Sequence, residues 1–229
     1  MNNSAIPSVA RRFSPEEIPF WNDLTAAEQA TVREHSEVRI FPEGSQIYGG
    51  DSSCLGMITL LRGGIRVYIL SEEGREITLF RIGAGESCVL SASCVIAGLH
   101  FEVHMVTMEE TEIFLIPSSV FSRLSESNVS VRCFQFERTT ERLSSVIRVM
   151  EDILFTPFDR RLATFLRREF EKNGSTELRL TQEAIAVEVN SAREVVARTL
   201  RRFAGEGIIE SGRGVIRLKD AEALKSLSD

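Results

Sequence analysis

The chain has 229 residues, 43% hydrophobic and 26% charged, a length that supports one or two domains with a sizeable core. Its net charge of −6 is unevenly placed: 14 Lys and Arg face 12 Asp and Glu from Pro157 onward, leaving 13 against 21 before it, so a mildly basic tail follows an acidic body. No apolar run approaches the roughly 18 residues of a membrane span, MNNSAIPSVARRF lacks the apolar centre of a signal peptide, and four cysteines without a short repeat fit a reduced, cytoplasmic protein.

In chain order, residues Met1 to Phe13 read as a loose arm. Ser14-Pro15-Glu16-Glu17 opens a short helix, and Thr25-Ala26-Ala27-Glu28 is a capping box starting a second one that runs to about His35. From Ser36 to Pro117 the texture changes. Runs such as Ile65–Leu70 and Glu76–Phe80 collect β-branched and aromatic residues, with glycines at Gly44, Gly49-Gly50, Gly63-Gly64, Gly74 and Gly83–Gly85 at intervals of roughly ten residues. Short strands with glycine turns at that spacing indicate a β-sandwich or barrel. Ser71–Glu76 reads as a hairpin loop within it.

Beyond Pro117 the pattern is helical. Val129, Cys133, Phe136, Thr140, Leu143, Ile147, Met150 and Leu154 are spaced alternately four and three apart. This is a coiled-coil seam, and its economical mate is a second copy of the same chain. The alternative is a stripe that packs on its own β-domain, but a globular helix usually needs a wider apolar face. Thr156-Pro157 should end that helix and start the next, with Thr as N-cap and Pro at the first helical position. Arg161–Phe170 is then amphipathic, and Asn173-Gly174-Ser175 closes it.

Leu180–Phe203 reads as two short helices broken at Asn190-Ser191. Thr181 is the expected N-cap of the first, with Ile185 and Val189 as its apolar stripe. Ser191 with Glu194 is the expected capping box of the second, whose apolar face is Val195, Val196, Thr199, Leu200 and Phe203. Its polar face carries Arg193, Glu194, Arg198, Arg201 and Arg202. A helix-turn-helix has this construction, presenting arginines to guanine O6 and N7 and a carboxylate to a cytosine amine. A helical hairpin with a solvated basic face is the bland alternative. Two strands around Gly212-Arg213-Gly214 follow as a wing, whose tip Arg213 is placed to touch a phosphate. No Ser-His-Asp order, P-loop or metal-hydrolase motif appears, which argues against an enzyme.

Taken together, FPEGSQIYGGD, IRVYILSEEGREITLFRIGAGES, the long helix, AREVVARTLRRF and the glycine-rich wing resemble the CRP/FNR family of bacterial transcription regulators from about Phe20 to Leu218. The resemblance implies an α+β chain: a cyclic-nucleotide-binding-like β-roll over residues 1–126, a dimerisation helix and hinge over 127–156, and a winged helix-turn-helix over 157–229. It implies a homodimer zipped along Phe136, Thr140, Leu143, Ile147, Met150 and Leu154. Its partners would be double-stranded DNA with a pseudo-palindromic site and RNA polymerase, not a membrane. Arg193, Glu194 and Arg198 would read bases, with Thr181, Gln182, Ser191 and Arg213 as further DNA contacts. The spacing R-E-x-x-x-R is similar to that of the cyclic-AMP receptor, which recognises a TGTGA-like half-site; Arg193 and Ala197 depart from the FNR version. A kinase-subunit or channel module sharing the β-roll would not need Leu180–Leu218.

The same resemblance places an effector pocket at Glu86, Cys88, Cys94, Phe101 and His104, beside Thr140 and Leu143 of the long helix. Cyclic-nucleotide binders carry an Arg-Ser where this chain reads Leu99-His100-Phe101-Glu102-Val103, and Glu102 would repel a phosphate, which argues against cyclic AMP. An iron–sulfur cluster of the FNR type needs N-terminal cysteines, and none precedes Cys54. For Cys88 and Cys94 three readings stay open. They are small buried hydrophobes, a thiol sensor acting through oxidation, persulfidation or a disulfide, or part of a haem site with His100 or His104 as nitrogen ligand. Zinc held by Cys88, Cys94 and His104 would lack a fourth ligand, so no metal is expected and the cofactor is left open.

Overall fold

The computed structural model describes residues 13–48, 55–72, 74–89 and 103–228. Its first helix, α1 (Ala26–His35), begins as the T-x-x-E spacing requires: the Glu28 amide donates to Thr25 Oγ1 at 3.3 Å, and the Thr25 amide to Glu28 Oε2 at 2.8 Å. That backbone bond, with hydroxyl and amide donors from Thr25, Asn128 and Ser127, holds the Glu28 carboxyl below its ordinary value. The Ser14 segment forms a 3-10 turn at Pro15–Glu17, and a second follows at Trp21–Asp23.

Among the described residues eight strands then succeed one another: β1 (Glu37–Phe41), β2 (Gln46–Tyr48), β3 (Gly56–Arg62), β4 (Gly64–Leu70), β5 (Glu76–Gly83), β6 (Ser87–Cys88), β7 (His104–Thr107) and β8 (Thr111–Pro117). They form two four-stranded sheets, ordered β1-β8-β3-β6 and β2-β7-β4-β5. In the first, Glu37 to Phe41 pair antiparallel with Leu115 to Thr111, and Ile58 pairs with Cys88. The Gly63 turn between β3 and β4 requires glycine: φ is +92°, and a Cβ would stand 2.7 Å from the Glu110 carbonyl oxygen. Thus the glycine-punctuated region is the β-roll that the sequence led one to expect.

Helix α2 (Ser118–Ser127) precedes the long α3 (Val129–Phe155). The chain divides into two compact units. The first is Met1–Ile65, Ile82–Phe101 and Val106–Thr140; the second is Arg66–Arg81, Glu102–Met105 and Glu141–Asp229. In the first unit Phe20, Trp21, Phe114, Phe121 and Phe134 share one core with aliphatic neighbours. Within that unit α3 buries Val131, Phe134 and Gln135, and the Phe134 ring meets Phe20 edge-on at 5.0 Å.

In the second unit α4 (Phe158–Asn173), β9 (Glu177–Leu178), α5 (Gln182–Glu188), α6 (Arg193–Gly205), β10 (Ile209–Gly212), β11 (Val215–Leu218) and α7 (Ala221–Ser228) build a winged helical domain. Its core joins Leu162, Leu166 and Phe170 of α4 to Ile185, Val196, Leu200 and Phe203. A small sheet runs β10-β11-β9, and Gly174 closes α4 in the left-handed conformation at φ 56°. The hinge differs by one residue from the sequence reading. Pro157, not Thr156, is the N-cap of α4, because its extended ψ of 141° places it outside the helix, and no side chain caps that end.

Candidate nucleic-acid interface

Helix α5 is capped as expected, the Ala184 amide donating to Thr181 Oγ1 at 3.1 Å. The start of α6 is not. Asn190 takes φ 49°, the Ser191 amide returns to the Ala186 carbonyl at 2.9 Å, and the helix begins only at Arg193, with Ala192 as an N-cap that has no side-chain bond. The anticipated Ser191–Glu194 capping box is therefore not the cap in use: the left-handed turn uses up Ser191 before the helix starts.

From Arg193 the phase of α6 divides its faces. Val196, Thr199, Leu200 and Phe203 are buried, while Arg193, Glu194, Arg198, Arg201 and Arg202 are exposed. These five are not equivalent. Arg202 is ion-paired to Asp159 of α4, and Arg201 Nε donates to the Ala197 carbonyl at 3.2 Å. Arg193 and Arg198 have no side-chain hydrogen bond or ion pair among the described residues. Arg198 and Arg202 line a shallow pocket of ≈330 Å³ with Phe158, Asp159, Val195 and Thr199. Thr181 is exposed at the mouth of α5, while Gln182 and Ser191 are half-buried.

The wing has the same division of labour. Arg217 bridges Glu177 at 2.9 Å and Glu210 at 3.5 Å, and Lys219 meets Glu210 at 2.7 Å. The Arg217 hydrogen bond holds Glu177 below the usual carboxylate range, and that of Lys219 does the same for Glu210. Arg217 and Lys219 are thereby engaged by carboxylates on the exposed surface of the wing. Arg213, exposed in the turn between β10 and β11, has no such partner among the described residues. Sequence reasoning passed over Arg161, whose Nη1 donates to the Val189 carbonyl at 3.0 Å and so ties α4 to the end of α5. Burial pulls this guanidinium below its ordinary range, with Asp152 acting the other way. Its only sequence signal was a second arginine beside Arg160 at the start of an amphipathic helix.

The candidate seam on α3 is exposed from Val129 to Leu154. Phe136, Leu143, Ile147, Met150 and Leu154 range from 47% exposure at Ile147 to 67% at Leu154. Thr140 is exposed with them, its hydroxyl donating to the Phe136 carbonyl at 2.8 Å, and Cys133 is exposed as well.

The residues assigned to an effector pocket are not gathered by either cavity described here. The exposed Glu86 accepts from the Gly83 amide at 2.9 Å, and Cys88 is fully buried in a strand. His104 is half-buried, its ring stacked on Tyr68 at 5.2 Å; Thr140 and Leu143 point outward on α3. Cys94, Phe101 and His100 lie outside the described residues. Cys88 is enclosed in its strand, and of the candidate haem nitrogen ligands only His104 is among the described residues. The larger cavity, ≈1210 Å³, lies instead in the second unit among α3, α4, the end of α5 and Arg81.

Comparison with known proteins agrees with this geometry. Residues 160–227 match the family model of a Crp-like helix-turn-helix domain. A structure described as a transcriptional regulator of the crp/fnr family from Eubacterium rectale is 34% identical, with a TM-score of 0.83 over 93% of this chain and 99% of that one. The cyclic AMP receptor protein of Thermus thermophilus is 20% identical over 210 residues, spanning 92% of this chain and 96% of its own. CLP of Xanthomonas campestris, a c-di-GMP-responsive global regulator, is 16% identical with a TM-score of 0.65 over 85% of this chain and 99% of that one, a likeness of fold alone.

Proposed function

Because this chain belongs to the CRP/FNR family of transcriptional regulators, we propose that it works as a homodimer that reads a pseudo-palindromic DNA site. The observation that carries the reading is the pair Arg193 and Arg198: exposed, without a side-chain partner among the described residues, and five residues apart on a helix whose opposite face is buried. Glu194 beside them accepts from a cytosine amine, and Arg193 and Arg198 donate to guanine edges. Thr181, Gln182, Ser191 and Arg213 hold the backbone on either side.

Two copies joined along Phe136, Thr140, Leu143, Ile147, Met150 and Leu154 would set their reading helices about 34–36 Å apart. The exposed apolar stripe supports this, since so much hydrophobic surface on one helix face calls for a covering partner. In this reading residues 1–126 sense a signal, 127–156 form the dimer rod and hinge, and 157–229 bind DNA in the cytoplasm, where RNA polymerase is the further partner. The signal is a small ligand or a thiol-directed oxidant or persulfide other than cyclic AMP, on the strength of Phe101-Glu102 in place of a phosphate-binding Arg-Ser. A change in the cassette would bias two arrangements of the rod and swing the DNA-binding domains about Thr156-Pro157.

The test is equilibrium binding to an inverted repeat of TGTGA-like half-sites against a random duplex. The reading requires at least about a thousandfold preference at physiological salt; equal affinity for both would overturn it. Absorbance at about 350–450 nm of the purified protein separates a colourless effector from haem.

A further inference from the structure

The turn that launches the reading helix is clasped by strand β5. In the second unit the Thr78 amide donates to Asn190 Oδ1 at 2.8 Å, and Asn190 Nδ2 donates back to the Thr78 carbonyl at 3.1 Å. Only one orientation of the side-chain amide satisfies both bonds. Strand β5 is the edge of its sheet among the described residues, so its outward amides and carbonyls have no neighbouring strand there. One asparagine side chain fills that vacancy as a single residue of an added strand would. Two further contacts flank it: Arg75 donates to the Asn190 carbonyl at 3.0 Å, and Arg81 meets Glu188 at 2.6 Å. Of these residues Arg81, Glu188 and Asn190 line the ≈1210 Å³ cavity.

From this geometry we infer that Asn190, Thr78, Arg81 and Glu188 are positioning residues for DNA reading: they hold the α5–α6 turn on the β4–β5 hairpin and so fix the direction of α6. The inference rests on the DNA-reading function proposed above. Asn190 stands three residues before Arg193 and is held at φ 49°, so its anchorage sets where the first turn of α6, with Arg193 and Glu194, begins. The clasp leaves Arg193 and Arg198 exposed, which makes it a mount for the reading face and not a cover over it. A winged domain joined to α3 only through Thr156-Pro157 would otherwise have to be ordered when it docks, at a cost in affinity. The clasp also gives the sensing sheet a second route to the DNA, through the hairpin as well as through α3.

The test uses the 229-residue chain and its Asn190→Gly variant, which keeps the left-handed turn and deletes the amide. Exchange of the Thr78 amide hydrogen should accelerate about tenfold, and affinity for the specific duplex should fall about five- to tenfold. The slope of affinity against salt should stay as in the wild type, because no phosphate contact is lost. Arg81→Ala should lower affinity in the same direction, and Arg81→Lys should restore most of it. A wild type that binds no duplex would remove the DNA-reading premise. A wild type that binds, with Asn190→Gly equal to it or tighter, would remove the clasp alone. So would a reduced salt slope in Asn190→Gly, or a Thr78 amide that exchanges no faster.

Discussion

Helix α6 and the β-roll cassette are two ways of placing functional groups on one chain. On α6 a single phase decides everything: Val196, Leu200 and Phe203 go inward, so Arg193 and Arg198 must go outward. The cassette candidates have no common element. Glu86 sits in a turn, Cys88 in a two-residue strand, His104 at the start of another strand, and Thr140 and Leu143 on α3. A surface that reads a polymer can be set by local periodicity, whereas a pocket for a small effector depends on contacts between residues far apart in sequence. The first is rigid as soon as its helix packs; the second is open to replacement of its ligand while the fold stays the same.

The largest expected effect comes from separating the two copies. Leu143→Lys places a charge on the seam, where pairing would desolvate it. Leu143 is 58% exposed in the single chain, so the variant should fold. Light scattering should find monomers at micromolar concentration, and DNA affinity should drop by more than about a hundredfold as the second half-site is lost. A variant that stays dimeric would remove the seam.

Next come two exposed arginines of different kind. Arg198→Ala should cost ~1–3 kcal/mol and relax preference at one base pair, whereas Arg213→Ala should weaken specific and random DNA alike and lower the salt slope by about one. Equal losses from Arg198→Ala on both duplexes would make Arg198 a phosphate contact and blur the distinction between reading helix and wing.

The smallest effect lies far from both regions. Glu28 has its carboxyl held below 4.5 in the folded chain by the Thr25 amide and its neighbours, so its contribution to stability is present above pH 4.5 and is lost as pH falls through the lowered value. Glu28→Gln should therefore cost about 0.5 kcal/mol in urea melts at pH 7, allowing for solvent screening, and nothing once the wild-type residue is protonated. A penalty that persists at low pH would mean that the side chain acts through packing and not through its charge.

What was legible in the sequence follows the same division. The T-x-x-E box at Thr25, the glycine-spaced strands, the Asn190 break and the Gly212–Gly214 wing are local patterns, and the structure has all of them. Ser191 misled because a capping box was inferred without the left-handed Asn190, which delays the helix to Arg193. The short β9 and the terminal α7 went unread, since two residues carry no period and α7 is held by its packing on α4. The bond between Thr78 and Asn190 could not be read at all: its ends are 112 residues apart, and no local pattern links the strand to the turn.

The central claim is that two α6 helices, carried by paired copies of α3, meet DNA together. Selection of bound duplexes from a random pool by the purified protein tests it most directly. The account predicts an inverted repeat with half-site centres about one helical turn apart. A single unrepeated motif, or no enriched sequence at all, would contradict it.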